Sequence, residues 1–353
     1  MALKAIAPEG ITELFTPVLF ADRQLVEKAI KELGIECGPL AYIQKASESK
    51  PGQINVVDLH LKDITVDRGK PSKISGAGAV ESLERATDAV ISGDVDVLVT
   101  APISKEAVRS DEFTHTGHTE YLSFRAGEAH KAQMILFDDI LRVALVTTHL
   151  PISQLSGAIT REGVAESIKG FSSTLTKDFS VTRPKIAVLS LNPHTGDGGL
   201  LGSEEIEVIA PAISDCIGEG VLAFGPYPAD GFFGSGAYKD FDGVLAMYHD
   251  QGLAPFKTLA AERGVNFTAG LPFVRTSPDH GTANDIAWKG EADATSMREA
   301  IYKAIDIFRN RKRHEAASAN PLKPLSDNTH RNDRRRQSEE KIDTEENIKE
   351  EEE

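Results

Sequence analysis

Residues 185–199 read KIAVLSLNPHTGDGG. Lys185–Leu191 is a short apolar run, continuous rather than alternating, the pattern of a strand buried on both sheet faces. It breaks at Asn192 and Pro193 into a segment holding Gly196, Gly198 and Gly199, the composition of a tight turn. The same grammar recurs along the chain. Val18–Ala21, Val95–Thr100, Leu141–Thr147 and Val244–Met247 read as further strands, and Ala79–Ile91, Arg161–Leu175 and Ser203–Ile217 carry helical patterns between them. Ser203 stands at a plausible N-cap, with Glu204 and Glu205 placed to favour the helix dipole. Strands alternating with helices predict an α/β fold around a largely parallel sheet.

At 353 residues the chain has room for two domains, or for one large α/β unit with two lobes. Its formal charge is −15, and residues 325–353, with eleven acidic and six basic groups, supply −5 of it. The rest is moderately acidic, which argues against a nucleic-acid partner, since that requires a basic face. Cys37 and Cys216 are far apart and in no CxxC pattern, so neither a disulfide scaffold nor a zinc ribbon is expected. No run reaches the roughly 20 apolar residues that span a bilayer. The opening MALKAIAPEGITELF carries Lys4, Glu9 and Glu13 and has no signal-peptide core, so a soluble cytoplasmic protein without a membrane partner is expected. From residue 316 to 353 large apolar residues almost vanish, and a disordered charged tail is expected there. Its Arg334–Arg336 cluster reads more simply as solvated charge than as a binding motif.

Three of the ten histidines, His149, His194 and His249, each follow the carboxyl end of a predicted strand. Ligands of open α/β sheets gather at that edge. Three neutral imidazoles there would hold a divalent metal and leave positions open for water or substrate. Asp250, beside His249, suits a supporting role. The alternative is that each histidine only caps a loop, since no local spacing such as HExxH joins them. Lys257 and Arg275, flanking Asn266 in glycine- and proline-rich loops, are candidates for gripping a phosphate or carboxylate, or are ordinary surface cations. In Gly117-His118-Thr119-Glu120 a histidine and a hydroxyl could bond a polar substrate, while Thr114 or Thr116 could instead cap a helix starting near Glu120. No dinucleotide fingerprint is present: Gly76-Ala77-Gly78-Ala79-Val80-Glu81 breaks GxGxxG at its last position.

Taken in order, VLVTAPISKEAV, FTHTGHTEYL, LVTTHLP, LNPHTGDGG, PADGFF, LAMYHDQGLAPFK, RGVNFTAGLPFVRTSPDHGTA and KGEAD resemble the 4-hydroxythreonine-4-phosphate dehydrogenase family of vitamin B6 synthesis, over about residues 3–310. The resemblance implies an isocitrate/isopropylmalate-dehydrogenase-like fold, two lobes around a largely parallel sheet with the active site in the cleft. Such a fold binds NAD without GxGxxG. Lobe one would comprise residues 1–108 with 285–315, and lobe two residues 109–284. By position, the family's metal ligands fall on His149, His194 and His249, and its substrate contacts on His118, Thr119, Lys257, Asn266 and Arg275. Asp250 and Asp230 are candidates for proton transfer, and the cofactor-contacting residues stay unassigned. The implied reaction oxidises 4-phosphohydroxy-L-threonine with NAD (or NADP), assisted by zinc, magnesium or cobalt. Loss of CO2 follows, giving 3-amino-2-oxopropyl phosphate for pyridoxal 5'-phosphate synthesis. The family works as a homodimer with active sites at the subunit interface. Paralogous enzymes act on 4-phospho-D-threonate or 4-phospho-D-erythronate, and no residue separates them from this chain.

One departure stands out. Family members open with a strand and a GDPxGxGPE segment before the helix that here begins ALKAI. The expectation is a first strand missing from lobe one, with an in-frame segment of that kind encoded upstream. A metal-binding scaffold without activity is the reading from another class.

Overall fold

A computed structural model describes residues 1–61, 68–127, 129–260 and 263–322. From the amino end run α1 (Ala2–Ile6), α2 (Ile11–Leu14), β1 (Val18–Ala21), α3 (Arg23–Leu33), β2 (Leu40–Ile43), β3 (Ile54–Asp58) and α4 (Lys73–Ser92). Then come β4 (Val97–Val99), α5 (Lys105–Val108), α6 (His118–Ala126), β5 (Gln133–Phe137), β6 (Arg142–Leu145), α7 (Leu155–Ala158) and α8 (Arg161–Lys177). Next follow β7 (Lys185–Leu189), α9 (Ala210–Gly218), β8 (Leu222–Tyr227), α10 (Ala229–Gly234) and β9 (Gly243–Ala246). The last elements are α11 (His249–Ala260), β10 (Val265–Ala269), β11 (Val274–Pro278) and α12 (Thr295–Ser318). Local chemistry starts and stops them. Asp22 caps α3 by accepting from the amides of Gln24 and Leu25, and Gly34, at φ 57°, ends it. Ser72 and Ser75 close a reciprocal capping box on α4.

Strands pair into two sheets, β1-β3-β2, all parallel, and β4-β11-β10-β5-β6-β9-β7-β8. In the larger sheet only β11/β10, β10/β5 and β5/β6 run antiparallel, so the expected largely parallel α/β architecture is present. All five expected strands form. The continuous apolar ones are buried on both faces: Ile186 and Val188 of β7 pack with Ile168, Phe171 and Ile213, whereas Ala187 and Leu189 face Leu253 and Phe256. Gly252 lets α11 approach that sheet, because a Cβ there would lie 2.7 Å from Val143 and 2.9 Å from Ala246.

Two expectations need correction. The segment from Ser203 does not enter a regular helix; a π-turn spans Glu205–Ile209 before α9. Glu205 is not a solvated dipole partner there but is 2% exposed, its carboxylate accepting from the amides of Leu191 and Asn192 at 2.8 and 2.7 Å. Those two donors stabilise the buried carboxylate more than a frayed first turn would. Within the stretch from residue 316 expected to be disordered, α12 continues to Ser318, and residues 323–353 lie outside those described. The chain forms two compact units, Met1–Arg311 and Lys312–Glu353, and the sheets lie in the first. Among the described residues no helix is long and apolar enough to cross a membrane.

β1 and β4 are each the last strand of their sheet, and α4 packs against both. Between them lies a cavity of about 720 Å³.

Candidate active site

Neighbouring parallel strands end side by side, and that brings two of the three histidines together. β6 pairs with β9 through Leu145 and Ala246; His149 follows the first, and His249 opens α11 after the second. Their ring centroids are 6.0 Å apart. His249 Nδ1 is 2.7 Å from Asp250 Oδ1, a contact that favours the ring tautomer with its proton on Nδ1. His149 Nδ1 lies 3.9 Å from Glu120 Oε1. Burial, then the Lys105 charge, lower the His149 pKa, which keeps its ring neutral and able to ligate.

The third histidine is handled differently. β7 flanks β9 on its other side, and the chain leaving it enters a left-handed turn, with φ of 52°, 57°, 75°, 45° and 65° at His194, Thr195, Gly196, Asp197 and Gly198. Left-handed backbone costs a residue with a Cβ roughly 1–2 kcal/mol. Three such residues in one run mark a shape held from outside. Glu205 holds it, accepting also from Asn192 Nδ2 at 3.0 Å, and Gly196 is pressed so close that a Cβ would meet Glu205 Oε2 at 2.8 Å. His194 itself is exposed. Within one chain no hydrogen bond or ring contact joins it to His149 or His249, and among the described residues no group of three His, Cys, Asp or Glu is arranged to hold a metal.

A second centre sits on the antiparallel strands. Alternation along β10 and its register with β11 put Asn266, Thr268 and Arg275 on one face. Arg275 is 2% exposed. Its Nε and Nη2 donate to Thr100 Oγ1 at 3.2 and 2.6 Å, and Nη1 donates to Thr268 Oγ1 at 3.0 Å. Burial pushes its pKa down to about 10, so it remains a cation at neutral pH. Hydroxyls, not carboxylates, take its hydrogen bonds, although Glu120 lies near enough to act on its charge. His118 opens α6 behind Gly117, and burial with the Arg275 charge pushes its pKa down to about 3. No threonine caps α6. Thr119 follows in the same first turn. Asn266 Oδ1 is buried with no hydrogen-bond partner among the described residues. Lys257, on α11, pairs with Asp279 at 3.1 Å, and burial raises the Asp279 pKa. Asp230 is exposed in the first turn of α10, with no hydrogen bond or ion pair among the described residues tying it to either centre.

Sequence reasoning passed over several residues that shape this region. Thr100 follows β4 directly and Thr268 lies in β10; both act only by meeting Arg275, a pairing no spacing reveals. Gln251, inside MYHDQG, accepts from the Met247 amide at 2.7 Å and donates to the Ser190 carbonyl at 2.5 Å, clasping the ends of β9 and β7.

Residues 13–304 match the family model described as pyridoxal phosphate biosynthetic protein PdxA. The chain belongs to the PdxA family. It is 49% identical over 321 residues to a 4-hydroxythreonine-4-phosphate dehydrogenase of Bacteroides thetaiotaomicron, covering 91% of this chain and 88% of that one. A relative of the same name from Sulfurihydrogenibium is 39% identical, over 84% of this chain and 90% of its own. A solved 4-hydroxythreonine-4-phosphate dehydrogenase from Klebsiella pneumoniae superposes with a TM-score of 0.76 at 35% identity, over 87% and 92% of the two chains. The family's fold is thus shared along nearly the whole described body.

Proposed function

We propose that the protein is a 4-hydroxythreonine-4-phosphate dehydrogenase, oxidising 4-phosphohydroxy-L-threonine with NAD and releasing CO2 to form 3-amino-2-oxopropyl phosphate for pyridoxal 5'-phosphate synthesis. The observation that carries this reading is Arg275, a buried cation whose hydrogen-bond partners among the described residues are hydroxyls, on the same face as an Asn266 oxygen that has none among them. A buried charge without a directly bonded counterion is costly, and an anionic ligand group relieves that cost. In this reading Arg275 and Lys257 grip the phosphate, and Asn266 with Thr119 orients the carbon chain. Neutral His118 bonds the substrate without adding charge.

The donor set suits a divalent ion such as zinc, magnesium or cobalt. The 6.0 Å between the His149 and His249 ring centroids is of the order expected for two imidazoles on one ion with bonds of about 2.0 Å. The third position would go to His194 from a second copy of the chain, giving a homodimer with shared sites. Exposed apolar side chains support that assembly: Ile152 near His149, and Leu200 near His194, are 82% and 79% exposed. Such an ion supplies Lewis-acid polarisation of the substrate hydroxyl, and NAD accepts the hydride. Asp250 and Asp230 are the proposed proton-transfer carboxylates, of which Asp250 alone contacts the histidine pair. We also propose that the body divides into the two lobes described from sequence, the cleft between them taking the substrate.

Steady-state NAD reduction tests the reading, with phosphohydroxythreonine set against 4-phospho-D-threonate and 4-phospho-D-erythronate. The expected outcome is turnover of the first, abolished by chelation and restored by a divalent metal. Inactivity on all three overturns the dehydrogenase assignment.

A further inference from the structure

Two side chains of opposite charge lie beside the histidine pair without a partner of their own. α6 carries Glu120 in its first turn, and α5 opens with Lys105 behind its Ser104 cap. Both reach the space over Gly117, where a Cβ would lie 3.3 Å from Glu120 Oε2 and 3.9 Å from Lys105 Cε. The Gly117 backbone is extended, at φ 176°, so the missing side chain leaves room there rather than relieving strain. The two charges do not satisfy one another. Among the described residues no ion pair joins them, and neither the Glu120 carboxylate nor the Lys105 ammonium makes a hydrogen bond. Glu120 comes within 3.9 Å of His149 Nδ1, too far for a hydrogen bond, and its side chain is 41% exposed. A carboxylate that served only to steady His149 would be expected to bond it, as Asp250 does His249 at 2.7 Å. Lys105 is exposed, and its charge reaches His149, while that of Glu120 reaches both His149 and Arg275.

The proposed substrate brings a phosphate and a carboxylate to this region, and a carboxylate side chain repels both. The repulsion is offset where Glu120 meets the substrate's one cation, its ammonium group. Lys105, a strongly hydrated point charge, then suits the neighbouring carboxylate. We propose that Glu120 and Lys105 hold the amino-acid head of the substrate, Glu120 taking the ammonium and Lys105 the carboxylate. Glu120 is then the residue that tells 4-phosphohydroxy-L-threonine from the phosphorylated sugar acids, an assignment that rests on the substrate class proposed above. 4-Phospho-D-threonate and 4-phospho-D-erythronate lack the ammonium, so they give Glu120 no charge partner while their own anionic groups repel it. Water screens a carboxylate this exposed, so the one contact is expected to discriminate about ten- to hundredfold.

Isothermal titration calorimetry tests this by measuring Kd for the three compounds, turned over or not, on the full chain and its Glu120→Gln and Lys105→Met variants. Neither change removes a hydrogen bond among the described residues, so melting temperatures should stay close to that of the parent. The parent protein should prefer phosphohydroxythreonine over 4-phospho-D-threonate, and Glu120→Gln should narrow that preference at least about tenfold. Lys105→Met should weaken all three at least about tenfold and leave the preference as it was, since each compound carries the carboxylate. Equal weakening of the three by Glu120→Gln would make Glu120 a positioning residue for His149 and overturn the proposal. Binding indifferent to Lys105→Met, or no binding by the parent, overturns it as well. The expected preferences without NAD reduction would uphold the head assignment and count against the dehydrogenase reading alone.

Discussion

Replacing Glu205 with Ala removes the buried carboxylate on which the backbone entering the left-handed turn leans. Two backbone donors, the amides of Leu191 and Asn192, lose their acceptor, a carboxylate that is 2% exposed, whereas the Asn192 side-chain amide keeps Glu204 Oε2 at 2.7 Å. Each unsatisfied buried group costs about 1–3 kcal/mol, so the two backbone donors alone account for roughly 2–6 kcal/mol. Against this, the strain at His194, Thr195 and Asp197, roughly 3–6 kcal/mol at about 1–2 kcal/mol each, is free to relax once the turn lets go. The two terms oppose one another. At mid-range they cancel to within about 1 kcal/mol, so the expected net change in urea unfolding is small, while the turn carrying His194 moves. Displacing a ligand by about 1 Å can cost 100-fold in rate, so turnover should fall about 100-fold or more. Glu205→Gln keeps one carbonyl oxygen for the backbone but sets an amide against Asn192 Nδ2, and should fall between. A Glu205→Ala protein that keeps both its urea midpoint and its turnover would refute this account of the turn.

Arg275→Met removes a buried charge while keeping bulk, so thermal stability should hold or rise, whereas KM for the phosphorylated substrate should climb about 100-fold or more; an unchanged KM removes Arg275 from the phosphate site. His194→Ala, in an exposed loop, should abolish metal uptake and activity with little change in melting temperature, and stoichiometric metal in the variant would exclude the histidine as a ligand. His118 is held near pKa 3 against an ordinary 6.5, so between those values the unfolded chain binds a proton that the native state does not. Stability from this group is full above about pH 6.5 and is lost as pH falls toward 3, and His118→Gln should flatten that slope. Parallel pH-stability curves for the two proteins would contradict the assignment.

Strands buried on both faces announced themselves, because β9 and β7 after Lys185 need apolar residues at each buried position, and so did the histidines that follow them. The antiparallel strands were harder. β10 holds Asn266 and Thr268, and β11 holds Arg275 and Ser277, polar residues sharing one sheet face, which blurs the apolar pattern of a core strand. Glu205 misled for a related reason: beside Ser203 and Glu204 it has the local signature of a helix start, and only the fold brings it under Asn192. Of the site, the residue types and their positions after strands were readable. The partners were not, since Thr100 reaches Arg275 across 175 residues and Gln251 reaches Ser190 across 61.

The Gln251 clasp has a consequence for how the loops move. One side chain spans the Met247 amide and the Ser190 carbonyl, so the segments bearing His249 and His194 share a common root. Displacing either segment therefore strains the hydrogen bond that holds the other.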